Sequence, residues 1–160
     1  MLRLKLRCLY LFLLLLPFFG GCSWQEYFII VNETNFPITI NYTLNESNNG
    51  FGTFDTEPAV YQLNPSGDID WSSKFPVIDS DSSLYNIGIT LPAKSVIIMG
   101  SLTNDHYENH NQKTTNDRVN LKNITIAFPD KNLEISSENF EKFFKKRNGN
   151  IEYRINSIIP

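Results

Sequence analysis

The residues best suited to hold a metal ion are the two histidines of the chain, His106 and His110, which form an H-x-x-x-H pattern beside Asp105. On one face of a helix this spacing brings two imidazoles together, and neutral imidazoles bind zinc or copper. The surrounding stretch 103–117, however, lacks apolar periodicity and is rich in asparagine, which predicts a solvated loop. We therefore predict no metal and no cofactor. A metal-dependent envelope enzyme that uses these residues is kept as an alternative.

No motif for nucleophilic catalysis is present in this sequence. Such catalysis needs a serine or cysteine beside a base and an orienting group, and no G-x-S-x-G pattern occurs. Any triad would have to take its histidine from the same polar loop. Because sequence spacing says nothing about separation in space, a pair of carboxylates for glycoside hydrolysis cannot be identified either. The sequence identifies no catalytic residue, and we predict a non-catalytic binding or structural role.

Aromatic side chains offer a second alternative, a carbohydrate-binding module. Trp71, Tyr85 and Tyr107 could form a platform on which sugar rings stack, because an aromatic face is large, rigid and apolar. Aromatic residues make up 13% of the chain, and most side chains of this type fill cores and sheets. The hypothesis therefore requires that these three be exposed on one surface.

The N-terminal segment has the features of a secretory signal. Arg3, Lys5 and Arg7 precede an apolar run over residues 9–19, and Gly20-Gly21-Cys22 follows. A basic start, a short apolar run and small residues at a cleavage site are typical of a signal peptide. The run is also shorter than the roughly 20 residues that span a bilayer.

The segment Phe19-Gly20-Gly21-Cys22 resembles the lipobox of bacterial lipoproteins, with Phe19 where leucine is usual. The resemblance, to small Gram-negative lipoproteins of unknown function, covers only the signal region. It implies that Cys22 carries a diacylglycerol and an acylated amine, which anchor the protein in a membrane. Because Ser23 rather than aspartate follows, it also implies the outer membrane, facing the periplasm. The resulting division is a signal peptide at 1–21, a lipidated N-terminus and tether at 22–26, and one domain at 27–160.

The charge balance limits the partners of this chain. Its formal net charge is -3 and becomes more negative once the basic signal segment is removed, which disfavours nucleic acid. Lys142, Lys145 and Lys146 form a local basic group that could contact anionic lipid headgroups. The expected partners are therefore a membrane, through the acyl chains on Cys22, and an unidentified envelope protein or glycan.

Alternating apolar residues predict a protein made mostly of β-strands. Residues 38–44, 119–128 and 151–156 alternate between apolar and polar side chains, the period of a strand with one buried face. Two further apolar runs meet at Pro92-Ala93 and predict a hairpin. Roughly eight short strands of this kind indicate a mostly antiparallel β-sandwich, with a small β-barrel as the alternative.

One short amphipathic helix is expected near the C-terminus. Phe140, Phe143 and Phe144 have the spacing of one helical face, and Ser136 or Ser137 could cap the start. The cations at 145–147 would complement the helix dipole, and Asn148-Gly149 would end the helix.

Overall fold

The computed structural model describes residues 23–45, 52–76, 85–105, 107–108, 113–114, 119–136 and 138–156. Strands dominate these ranges, and a single short helix lies near the C-terminus. The elements are β1 (Gln25–Asn32), β2 (Ile38–Leu44), β3 (Phe54–Leu63), β4 (Ile69–Phe75), β5 (Asn86–Leu91), β6 (Ser95–Thr103), β7 (Tyr107–Glu108), β8 (Lys113–Thr114), β9 (Leu121–Ala127), β10 (Asn132–Ser136), α1 (Phe140–Phe143), β11 (Lys145–Arg147) and β12 (Asn150–Ile155).

Two separate sheets form the described part of the fold. Sheet A has the order β11-β12-β1-β6-β3-β4, sheet B has the order β10-β9-β2-β5, and β7 pairs with β8. Neighbouring strands run antiparallel, except that β1 and β12 are parallel. The predicted mostly antiparallel β-sandwich is confirmed, with ten strands in its two main sheets.

The main core lies between the two sheets and follows from the alternation of the strands. Ile38, Ile40 and Tyr42 of β2 are at most 2% exposed, whereas the residues between them are exposed or half-buried. From sheet A, Phe28 and Ile30 of β1 belong to the same core. Burying such side chains stabilises the fold by roughly 1.5–3 kcal/mol each.

The C-terminal helix is confirmed but ends earlier than the phenylalanine spacing predicts. Residues Lys145–Arg147 form strand β11 instead of a last helical turn, since Phe144 is already extended at φ -84 and ψ 129. Asn148 and Gly149 have φ values of 50 and 80. These positive values suit the two-residue turn of a β-hairpin, so the pair joins β11 to β12 rather than capping a helix.

Within the described ranges, no helix combines the length and the apolar character needed to cross a bilayer.

Candidate functional site

The residues predicted to anchor the chain or to hold a metal lie largely outside the described ranges. Cys22 precedes the first described residue, Ser23, and neither His106 nor His110 is described. Asp105 is described and is 6% exposed. Among the described residues, no group of three or more His, Cys, Asp or Glu side chains could hold a metal ion. Lipidation of Cys22 and metal binding by the histidines both stay predictions.

Two of the three aromatic residues expected on a sugar platform belong to the core instead. Tyr107 is 5% exposed, and its ring lies 5.5 Å from that of Phe28 and 5.9 Å from that of Phe140. Tyr85 is half-buried and packs against the same core. Trp71, by contrast, is 54% exposed. The predicted platform of these three residues is therefore wrong, and only Trp71 is available at the surface.

The basic residues predicted to meet a membrane are exposed near one edge of sheet A. Lys145 and Lys146 lie on β11, the outermost strand, and Lys142 lies on α1. Lys145 Nζ donates to the backbone oxygen of Glu141 at 2.5 Å, and Lys146 forms a salt bridge with the buried Glu26. Charged side chains on an edge strand also hinder pairing with another chain. Membrane contact by these lysines stays a prediction.

A second apolar cluster lies on the outer face of sheet A, away from the main core. Ile29 and Val31 of β1 and Val96 and Ile98 of β6 form it, and none of these side chains is more than 8% exposed. An outward sheet face is normally wet, so these residues need a cover. Half-buried side chains from β3 and β4 pack against them. The β3–β4 hairpin therefore provides the cover for this face.

Strand β4 is irregular in its pairing with β3. Val60 lies opposite Phe75, but Gln62, two residues further along β3, lies opposite Asp70. Between these two pairs β4 therefore has more residues than β3, which makes this part of β4 a bulge. A bulge bends a strand and increases its twist. Trp71 lies in this bulged part of β4.

The ring of Trp71 lies over the outer face of sheet A, against two tyrosines. Its centroid is 5.4 Å from that of Tyr61 on β3 and 5.6 Å from that of Tyr27 on β1. Since β6 separates β3 from β1 in the sheet, Trp71 reaches across an intervening strand. The three rings form one aromatic group, with its most exposed member at the surface.

A cavity of about 180 Å³ opens beside Trp71 on this face. Its floor is Ile29 and Val31, and its walls come from the two opposite halves of sheet A. The β3–β4 wall consists of Leu63, Gly67, Asp68, Ile69 and Trp71, and the β11–β12 wall of Asn148, Asn150, Glu152 and Arg154. This cavity with its two walls is the outer groove.

A network of ion pairs holds the β12 wall of the outer groove. Arg154 donates from Nε and Nη2 to the two carboxylate oxygens of Glu152 at 2.9 and 3.3 Å, and from Nη1 to Glu33 Oε1 at 2.5 Å. Glu152 is 6% exposed and also contacts Arg147 Nε at 3.3 Å. Hydrogen bonding to Glu152 is the main cause that raises the pKa of Arg154. The guanidinium is thus fixed, with two of its five N–H donors unused by the described residues.

Each wall of the outer groove ends in a tight turn. In the β3–β4 turn, Asn64 Oδ1 accepts a hydrogen bond from the backbone N–H of Asp68 at 2.9 Å, and Gly67 has a φ of 83. In the β11–β12 turn, Asn148 and Gly149 have the positive φ values given above. The side chains of Asp68 and Asn148 are exposed and have no hydrogen-bond partner among the described residues. The carboxylate of Asp68 can therefore accept hydrogen bonds from a ligand, and the amide of Asn148 can both donate and accept them.

A larger recess of about 570 Å³ adjoins the outer groove and shares Leu63 and Gly67 with it. Glu33, Lys94 and Asn156 are among its other lining residues. Glu33 thus lines the recess while its carboxylate binds Arg154, which lines the outer groove. The two spaces adjoin at these shared residues on sheet A, and together they are called the depression.

The described residues that line this depression offer chemically different groups. What they provide is an apolar floor, an exposed indole, and amide, carboxylate and guanidinium groups on opposite walls. Together these groups can hold a ligand that has one apolar face and several polar edges.

Part of the β12 wall could have been found from the sequence. Ile151, Tyr153 and Ile155 alternate with Glu152 and Arg154, which places the two charged side chains on the face away from the core. No sequence signal shows that β4 bends back over the same face.

Comparisons of this chain with protein-family models, with curated proteins and with solved structures found no match.

Proposed function

We propose that this chain is a lipid-anchored envelope protein that binds a ligand in the outer groove without catalysing a reaction. The observation that carries the binding role is the outer groove itself, a cavity with an apolar floor and walls fixed by turns and ion pairs. A recess whose side chains are held in place before binding loses little conformational entropy when it is occupied.

The anchor is proposed from Phe19-Gly20-Gly21-Cys22 and from the position of β1. This strand begins at Gln25, so Cys22 is only three residues away, a distance of at most about 11 Å along an extended chain. Trp24, at the start of β1, is 45% exposed. Tryptophan favours the interface between membrane and water. Acyl chains on Cys22 would therefore hold the start of β1 against the bilayer.

Cell fractionation tests the anchor. Wild-type protein should be recovered with the outer membrane, and a Cys22→Ala variant should not be lipidated and should leave the membrane fraction. A Ser23→Asp variant is a matched control because it keeps Cys22 and should be retained at the inner membrane instead. The anchor proposal is wrong if mass spectrometry finds a free thiol on Cys22 of the processed wild-type protein.

Photo-crosslinking in cells tests the binding role. A photoreactive derivative of phenylalanine at position 71 keeps an aromatic ring there and should capture an envelope component, since this position lines the outer groove. The same amino acid at Lys122, which is exposed on sheet B, controls for random collisions. Equal products from both positions, or none from position 71, would contradict a ligand in this groove.

A further inference from the structure

We propose that the ligand of the outer groove is an uncharged glycan, with one sugar ring packed on Trp71 and further units extending into the adjoining recess. This inference rests on the proposed binding function and names the chemical class of the ligand. Four properties of the depression lead to it: the balance of its charges, the arrangement of its polar atoms, its exposed indole and its shape.

The charges around the depression nearly cancel, which favours a neutral ligand. Glu152 and Glu33 carry two negative charges against the one positive charge of Arg154, and Arg147, which contacts Glu152, supplies the second positive charge. Asp68 and Lys94 add one charge of each sign on the side of the β3–β4 turn. A phosphate or carboxylate ligand needs an excess of cations, and a cationic ligand needs an excess of carboxylates. With Arg147 counted, neither excess is present among the described residues around the depression.

The polar atoms of the groove match a ring of hydroxyl groups. A hydroxyl both donates and accepts hydrogen bonds. Asp68 offers acceptors on one wall, Asn148 offers a donor and an acceptor on the other, and Arg154 keeps two N–H donors. These groups surround the rim, whereas Ile29 and Val31 form the floor. A sugar ring has the same division, since its hydroxyls lie at its edge and its C–H groups form an apolar face.

Trp71 supplies the surface on which such an apolar face can pack. Its ring is supported by Tyr27 and Tyr61 yet remains 54% exposed. Because neighbouring rings already fix this indole, its side chain loses little conformational entropy when a ligand covers it. Burying its exposed area would also remove a large apolar surface from water. Trp71 should therefore provide most of the binding energy.

The dimensions of the depression indicate several linked rings rather than one molecule enclosed in a pocket. The outer groove has a volume of about 180 Å³, which is below the roughly 300–1,000 Å³ of pockets that enclose a drug-sized ligand. The adjoining recess has about 570 Å³ and shares two lining residues with the groove. One ring in the groove and its neighbours in the recess would fit this shape.

The proposal is tested by measuring binding to an array of uncharged oligosaccharides. Short peptides on the same array represent the other class of ligand. The full-length protein, purified from membranes in detergent, should bind one or more oligosaccharides and not the peptides. Isothermal titration calorimetry with soluble N-acetylglucosamine oligomers and with the strongest oligosaccharide from the array then gives the affinity, for the wild type and for the tryptophan variants alike.

Four variants locate the site. Trp71→Ala should weaken binding at least about tenfold, and Trp71→Phe should recover part of the loss because a ring remains. Trp24→Phe is the matched control, since it changes the only other tryptophan, and should leave the affinity within about twofold. Asn148→Gly removes the amide but tolerates the φ of 50 at this position, and should weaken binding about threefold to tenfold.

Two results would overturn the glycan proposal. One is that no oligosaccharide binds or that only peptides bind; the other is that Trp71→Ala binds oligosaccharides as tightly as the wild type. Crosslinking at position 71 separates this failure from that of the proposed function. If position 71 captures a peptide or protein that the control position 122 does not capture, the proposed binding function stands and only the glycan proposal is wrong.

Discussion

Arg154 joins two strands of sheet A through its side chain, since its partners Glu152 and Glu33 lie on β12 and just after β1. In an Arg154→Met variant, the buried carboxylate of Glu152 would lose two charge-assisted hydrogen bonds and keep only its contact with the exposed Arg147. We expect the free energy of unfolding to fall by about 2 kcal/mol, because a buried charge that loses its main partner is costly. Urea denaturation of the purified protein measures this change.

The double variant Arg154→Met/Glu152→Met is the control for this prediction. It removes the buried charge together with its partner, so it should be more stable than Arg154→Met alone. A double variant that is less stable than the single one would contradict this prediction, because it would show that the carboxylate of Glu152 stabilises the fold even without Arg154.

At the scale of elements, the strand β6 depends on a glycine. A Cβ atom on Gly100 would lie 2.1 Å from the backbone oxygen of Thr53 and 2.8 Å from Cα of Phe54. Since both contacts are with backbone, the strands would have to separate. We expect Gly100→Ala to lower the free energy of unfolding by about 3 kcal/mol, at the upper end for overpacking. Chemical denaturation followed by circular dichroism measures it.

Gly67→Ala is the matched control because it adds a Cβ atom that meets no neighbour but requires an unfavourable backbone conformation. No atom lies within 4 Å of a Cβ at this position, but its φ is 83. The expected loss is about 1 kcal/mol, the cost of a left-handed conformation for a non-glycine residue. Equal losses at the two positions would contradict the role assigned to close backbone approach at Gly100.

The elements were predictable where one residue pattern had a single structural meaning. The alternation of β2 predicted both a strand and its buried face, and the structure has both. The pattern around Phe140 and Phe144 was ambiguous, because Asn148-Gly149 can end a helix or turn a hairpin. A hairpin forms because residues 145–147 pair with β12. β12 in turn pairs with β1, which lies more than a hundred residues earlier in the chain. Such long-range pairing cannot be found from local spacing.

The candidate site was predictable only in part for the same reason. Trp71 was identified as a possible sugar contact from its type alone, together with Tyr85 and Tyr107. Which aromatic residues are buried depends on how the sheets pack, and the structure places Tyr107 in the core and Tyr27 beside Trp71. The bulge in β4 that brings Trp71 over the outer face has no signature in the sequence.

At the scale of the whole molecule, buried tyrosines make the folded protein less stable at alkaline pH. Burial, with a smaller contribution from Glu141, raises the pKa of Tyr107 to about 12. Burial also raises the pKa values of Tyr42 and Tyr153. Between pH values of about 10 and 12, the unfolded chain loses the proton of Tyr107 while the folded chain keeps it. The free energy of unfolding should therefore fall as the pH rises through this range.

The size of this effect can be assigned to one residue. Each such tyrosine should contribute a fall of up to about 1.4 kcal/mol per pH unit. A Tyr107→Phe variant, which keeps the ring contacts with Phe28 and Phe140, should have a slope shallower by about that amount. Urea denaturation between pH 8 and 11.5 provides the comparison. An unchanged slope would mean that Tyr107 titrates alike in the folded and unfolded chains.

The parallel pairing of β1 with β12 has a consequence for biosynthesis. Phe28 of β1 lies opposite Ile151 of β12. β1, the first of the described strands to be synthesised, therefore has no neighbour on this side until nearly all of the chain has been made. Until then the charged β12 wall of the depression does not exist, and β1 has an unpaired edge on this side. A partly synthesised chain therefore lacks the complete binding site and exposes a strand edge that can pair with other chains.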